Sequence, residues 1–138
     1  MKREWTEGEL KKRLEEVGVS LTAQRLAIAR ILFMEADHPT AHEVHQRAVE
    51  TLSVVSRATV YNTLGTFVEA GLVTEVRSGA EGMVRYDSNT EPHHHLRDRK
   101  TGKLIDIPYE AIEIGNLKAL KRRFKVDRIT VTIDGEPR

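Results

Sequence analysis

The chain has no cysteine. That absence excludes a disulfide framework, a Cys-ligated structural zinc, an iron–sulfur cluster and a thiol nucleophile. Long apolar runs are also missing. None approaches the roughly 18–20 residues that a membrane span needs, so no membrane partner is expected. No apolar stretch follows Met1-Lys2-Arg3-Glu4-Trp5, so a signal peptide is not expected and a cytoplasmic location is the default reading. An excess of one charge is lacking too, with 22 Lys and Arg against 21 Asp and Glu. What is present is a 138-residue chain, 39% hydrophobic and 31% charged. That composition belongs to a folded protein of one medium domain or two small ones. Its six histidines fall in two clusters: His38, His42 and His45, then His93, His94 and His95.

Helical periodicity runs through the first half. Leu10, Leu14 and Val17 share a helix face, and Gly18 stops that helix. Thr22 can cap a second helix carrying Leu26, Ile28, Ile31 and Leu32, broken at Asp37-His38-Pro39. Thr40 and Glu43 form a capping box for a third helix with Val44, Ala48 and Val49 inward. Ser56 can cap a fourth, running to about Ala70 and burying Val60, Leu64, Phe67 and Val68, with Gly71 as its C′ residue. Val73 to Arg77 and Met83 to Tyr86 then read as two strands around the turn-rich Ser78-Gly79-Ala80-Glu81-Gly82. Helices followed by such a hairpin describe a winged helix-turn-helix domain over residues 1–86. Arg57, Thr59, Tyr61 and Asn62, early on the fourth helix, are the candidate contacts to a double-stranded DNA operator.

Residues 87–92 read as a polar hinge. Beyond it, His93 to Leu96, Lys103 to Ile107 and Val126 to Ile133 read as strands, and 109–124 as a helix carrying Ile112, Leu117, Leu120 and Phe124. Residues 93–138 therefore form a small α/β unit, and the whole chain is of the α+β class. A unit of about fifty residues rarely buries enough apolar surface by itself. With no disulfide available, a homodimer through this part is expected. Charge gives a counter-argument to DNA binding. Residues 1–84 hold ten Lys/Arg and twelve Asp/Glu, a net of −2, and residues 85–138 hold twelve and nine, a net of +3. A DNA-binding domain is usually more basic, so the motif and not the net charge supports that reading. Locally, Arg3, Lys11, Lys12 and Arg13 cluster near the first helix.

The histidine triplet has a stereochemical consequence. On a strand, His93 and His95 share one face and His94 takes the other. A hairpin turning at Lys100-Thr101-Gly102 would bring Asp106 beside the histidine strand. Asp87 lies at the hinge, six residues before His93, and His38 could reach the hinge from the first domain. Three imidazoles and two carboxylates make a nitrogen/oxygen set suited to Fe(II), Mn(II) or Zn(II). A metal bound across a hinge would couple metal to domain orientation. His42 and His45, at i and i+3 on a helix, read as surface positions.

Several segments together, "LTAQRLAIARIL" (21–32), "HPTAHEV" (38–44), "SRATVYNTLGTFVEAGLV" (56–73), "RYD" (85–87), "HHH" (93–95) and "TGKLIDI" (101–107), resemble the ferric uptake regulator family of metal-dependent repressors. The resemblance covers nearly the whole chain. It implies an N-terminal winged-helix domain, a hinge, a C-terminal dimerisation domain and a regulatory metal held by His38, Asp87, His93, His95 and Asp106. Asp87, where iron-sensing members usually have Glu, resembles the peroxide-sensing branch, in which bound Fe(II) reacts with hydrogen peroxide and oxidises its own histidine ligands. "ATVYN" suits that branch and is shared with the iron-response branch, where a histidine triplet is associated with haem. An iron- or haem-responsive regulator is therefore the alternative. The two Cys-x-x-Cys pairs that hold structural zinc in most members are absent; Asp98 and Thr101 stand where the first would fall. A further family metal site is matched only by His94 and Glu113. A metal-dependent hydrolase would need a general base beside the metal. No spare acid stands beside these motifs, so no catalytic residues and no enzymatic activity are expected.

Overall fold

The computed structural model describes residues 3–78 and 82–138. The chain forms two compact units, Met1–Thr90 and Glu91–Arg138, and its class is α+β. No helix among the described residues is long and apolar enough to cross a membrane.

The first unit begins with α1 (Glu7–Glu16), which starts earlier than the apolar spacing predicts. Thr6 caps it and Glu9 closes a reciprocal capping box, satisfying two of the helix's orphan N–H groups. Thr6 lies outside the Leu10, Leu14 stripe, which is why the periodicity misses it. α2 (Ala23–Arg30) is capped by Thr22 and widens into a π turn over Ile31–Glu35, closed by the Ala36 N–H on the Ile31 carbonyl. Such a turn shifts the helix register by one residue. It delivers the chain into the segment 36–40. α3 (Ala41–Thr51) is capped by Thr40. It buries Ala41, Val44 and Ala48, while Val49, expected inward, is 40% exposed. Positions 44 and 48 face one side, and 49 lies about 100° round from 48.

α4 (Arg57–Glu69) begins at Ser56, whose hydroxyl accepts from the Thr59 N–H at 3.0 Å. Val60, Leu64 and Phe67 are fully buried and pack with Leu10, Leu14, Ile28, Leu32, Val44 and Leu72 into one core. Val68 is only half-buried and packs against its margin. Trp5 closes the edge of this core against Phe33, ring centroids 5.1 Å apart. Gly71, at φ +75°, supplies the left-handed residue that ends α4. β1 (Thr74–Ser78) and β2 (Met83–Asp87) follow as an antiparallel wing with Thr74 opposite Asp87. Residues 79–81 of the expected hairpin turn lie outside the described residues. β2 also carries Tyr86 into the core, and burial pushes its phenol pKa up, with Glu75 adding to the effect.

The second unit is a three-stranded sheet ordered β4-β3-β5. β3 (His93–Asp98) and β4 (Leu104–Pro108) pair antiparallel with His95 opposite Asp106. β5 (Thr132–Gly135) pairs parallel to β3, with Leu96 opposite Ile133. This departs from the expected strand over Val126–Ile133, since only its last residues join the ladder. A second departure lies between β4 and β5. In place of one helix over 109–124 there is a single 3₁₀ turn, Tyr109–Ala111, and a short α5 (Leu117–Arg123). Gly115 and Asn116 interrupt it, Asn116 standing in the left-handed region at φ 62°. Glycine costs about 1 kcal/mol in a helix interior, and the apolar spacing alone does not register that cost.

Candidate metal centre

In the first unit the segment after the π turn places His38 beside the wing. His38 adopts φ 45° ahead of Pro39, a left-handed backbone that few non-glycine residues take. Its ring lies between two carboxylates. Nδ1 is 2.8 Å from Asp37 Oδ1, and Nε2 is 3.4 Å from Asp87 Oδ2. The imidazole thus has a carboxylate oxygen near each of its two nitrogens. Both side chains of the pair are taken out of water, with His38 6% and Asp87 3% exposed. Asp87 Oδ1 also accepts the Asn89 N–H at 2.9 Å. The Arg85 guanidinium donates to the His38 carbonyl at 3.0 Å.

In the second unit β3 and β4 gather the remaining donors. His93 and His95 occupy one face of β3, with their Nε2 atoms 3.0 Å apart. Asp106, opposite His95 in the ladder, brings Oδ1 to 3.5 Å from His93 Nε2 and 3.3 Å from His95 Nε2. His93 Nδ1 lies 2.6 Å from the Glu91 carbonyl. A carbonyl only accepts, so Nδ1 carries the proton and the His93 Nε2 lone pair is turned toward His95 and Asp106. A metal-ligating histidine is commonly fixed in this way by an outer partner. Two imidazole nitrogens and one carboxylate oxygen converging at these distances fit a nitrogen/oxygen-preferring divalent ion. The roles of Asp37, Glu91 and Arg85 were not visible in the sequence. Each acts through a backbone carbonyl or a second ring nitrogen, for which no residue spacing is a signal.

The other histidines are accounted for differently. His94 is fully buried, stacks on Tyr109 with centroids 4.9 Å apart, and accepts the Val131 N–H on Nδ1 at 3.0 Å. It fastens the approach to β5 onto the central strand. Glu113 is exposed. His45 is half-buried, a correction to its surface reading. Its Nε2 donates to the Val55 carbonyl at 3.0 Å, tying α3 to the segment that enters α4. His42 is exposed. On α4, Arg57, Tyr61 and Asn62 are exposed, Tyr61 by 57%. Thr59 is half-buried, its hydroxyl 2.9 Å from Ser56 Oγ within the cap.

Comparison with known proteins agrees with this architecture. Residues 16–134 match the model of the ferric uptake regulator family. A peroxide-responsive repressor of Staphylococcus epidermidis is 38% identical over 100 residues, 72% of this chain and 66% of that protein's length. The corresponding repressor of Staphylococcus aureus is 36% identical over 123 residues, 88% of this chain and 82% of that protein. Among solved structures, a zinc-bound manganese uptake regulator superposes with a TM-score of 0.68 at 32% identity, covering 93% of this chain and 98% of its own. With its wing, its histidine and aspartate clusters and a match over most of its length, the chain belongs to the ferric uptake regulator family.

Proposed function

We propose that this protein is a homodimeric, metal-dependent, peroxide-responsive DNA-binding repressor. In this reading His38, Asp87, His93, His95 and Asp106 together hold one Fe(II) or Mn(II), for which Zn(II) can substitute. The observation that carries it is the paired preparation of donors: an imidazole facing a carboxylate in each unit, with the proton of His93 fixed on the nitrogen away from the cluster. Asp87 and His93 are six residues apart, so at most ~20 Å of extended chain separates them. That is short enough for both sets to serve one ion.

Arg57, Tyr61 and Asn62, with Thr59 at the start of the helix, are assigned to the DNA contact. A second copy is assigned to the C-terminal unit. Among the described residues of that unit Leu104 is the one buried aliphatic side chain, while Ile105, Leu120, Phe124 and Ile133 are exposed by 38–56%. Bound metal would favour the arrangement of two winged domains that matches two half-sites, and by linkage would raise DNA affinity.

Bound Fe(II) supplies redox chemistry toward hydrogen peroxide. With iron held by His38, His93 and His95, insertion of one peroxide oxygen into an imidazole C–H of one of these residues, with water as the other product, would be a two-electron oxidation of that ring and would weaken it as a ligand. Peptide mass spectrometry tests this on the Fe(II)- and Mn(II)-loaded protein after peroxide. One added oxygen on His38, His93 or His95 in the Fe(II) form alone supports the proposal. Absence of added oxygen, with Fe(II)-dependent DNA binding retained, replaces it with an iron-responsive regulator.

A further inference from the structure

Arg85 is absent from the proposed ligand set, yet it is 8% exposed in the wing of the first unit. Its surroundings do not resemble a stabilising ion pair. The carboxylate of Glu43 lies 3.8 Å from Nη1, the Met83 sulfur lies 3.8 Å from Nη2, and Nε has no hydrogen-bond partner among the described residues. Taking a guanidinium out of water with so little compensation is costly. Among the described residues, its one close side-chain contact is the charge-assisted hydrogen bond from Nη1 to the His38 carbonyl at 3.0 Å.

That carbonyl belongs to a residue with an uphill backbone. His38 is left-handed, is not glycine and precedes proline, a combination that the surrounding structure must enforce. The enforcement comes from three successive residues of β2. The Arg85 side chain grips the His38 carbonyl. The Tyr86 N–H donates to the Pro39 carbonyl at 2.9 Å. The Asp87 carboxylate faces His38 Nε2. Thr40 completes the contact as a single antiparallel bridge to Arg85. The His38 segment is thus laid along the wing as a third, one-residue strand.

We propose that Arg85 is a positioning residue for metal binding: it holds the left-handed His38 backbone so that its imidazole is presented beside Asp87 before any ion arrives. The inference rests on the proposed role of His38 as a ligand. It makes metal affinity depend on a cation, which simple electrostatics opposes. Removing a positive charge near a cation site should tighten binding, whereas losing an outer-shell partner weakens it by about 10–100-fold.

The test is a calorimetric Mn(II) titration of the full chain as wild type, His38→Ala, Arg85→Met, Arg85→Gln and Arg85→Lys, beside the thermal melts of the metal-free forms. The expected result is stoichiometric wild-type binding that His38→Ala weakens severely. Arg85→Met should lose about tenfold in affinity or more with a melt close to wild type, and Arg85→Lys should recover part of that loss. Wild-type protein that takes up no Mn(II) overturns the metal reading and this inference with it. Wild-type binding that depends on His38 but is unchanged or tighter in Arg85→Met overturns this inference alone. Should Arg85→Met fail to fold, a folded Arg85→Gln that binds Mn(II) like wild type also overturns it.

Discussion

The two faces of α4 have opposite assignments, and a pair of substitutions separates them. Leu64 is fully buried in the core, and Tyr61, three residues earlier, is 57% exposed. Leu64→Ala removes buried aliphatic volume and leaves a cavity, at a cost of about 2–5 kcal/mol. The first unit spans Met1–Thr90, and for a domain of that size each kcal/mol moves the melting midpoint by about 4–8 °C. A loss of about 3 kcal/mol therefore lowers its midpoint by roughly 12–24 °C. Tyr61→Ala removes a side chain that is mostly in water, and its effect on stability stays within about 0.5 kcal/mol. Its effect on DNA should be the reverse of small. Loss of one specific contact costs about 1–3 kcal/mol, or roughly 5–150-fold in affinity. The assays are thermal melting by circular dichroism and operator binding of the Mn(II) form by fluorescence anisotropy. A Tyr61→Ala protein that melts normally and binds DNA at full strength refutes the assignment of this face. A Leu64→Ala protein that melts like wild type refutes the packing argument behind it.

Other consequences can be measured separately. Asp106→Ala removes a carboxylate oxygen within 3.5 Å of both His93 and His95, so Mn(II) affinity should fall at least as far as the 10–100-fold typical of an outer-shell loss, and an unchanged calorimetric titration contradicts the ligand assignment. His45→Phe keeps a ring but loses the bond to the Val55 carbonyl, and should cost about 1 kcal/mol in chemical denaturation; no loss means that the bond contributes nothing. The Glu9 carboxyl is held below its ordinary 4.5 by the Thr6 hydroxyl, the Arg3 guanidinium and the Thr6 N–H. Its contribution is therefore fully present above the unfolded value and is lost as pH falls through the folded one. The melting gap between wild type and Glu9→Gln should narrow as pH falls below the ordinary 4.5, and a gap that widens on acidification would rule this out.

Local chemistry explains what could be read in the residues and what could not. Thr40 and Ser56 act as the expected N-caps, each hydroxyl accepting from the N–H three residues on, because a cap is decided within four residues; of the capping box expected at Thr40 and Glu43, the described residues show only the Thr40 half. The wing is equally local, two short strands about a turn. Val49, the interrupted 109–124 segment and the shortened β5 fail for a common reason: apolar or β-branched character alone does not say what surface is there to receive it. The stretch before Thr132 is β-branched, but only Thr132–Gly135 lies in register with β3. At the metal centre, β-strand alternation and the hairpin foretell His93, His95 and Asp106 as neighbours, and the structure places them together. Arg85, Asp37 and Glu91 stayed hidden because their roles depend on where a carbonyl points and on which ring nitrogen keeps its proton.

The central claim is that metal held by these histidines and aspartates licenses DNA binding and that peroxide cancels it through iron. Operator binding by the full chain, measured without metal, with Mn(II) and with Fe(II), before and after hydrogen peroxide, addresses it directly. The account predicts weak binding without metal and tight binding with either ion. It further predicts that the Mn(II) complex survives peroxide while the Fe(II) complex loses its DNA affinity. Equal binding with and without metal, or an Fe(II) complex indifferent to peroxide, would contradict it.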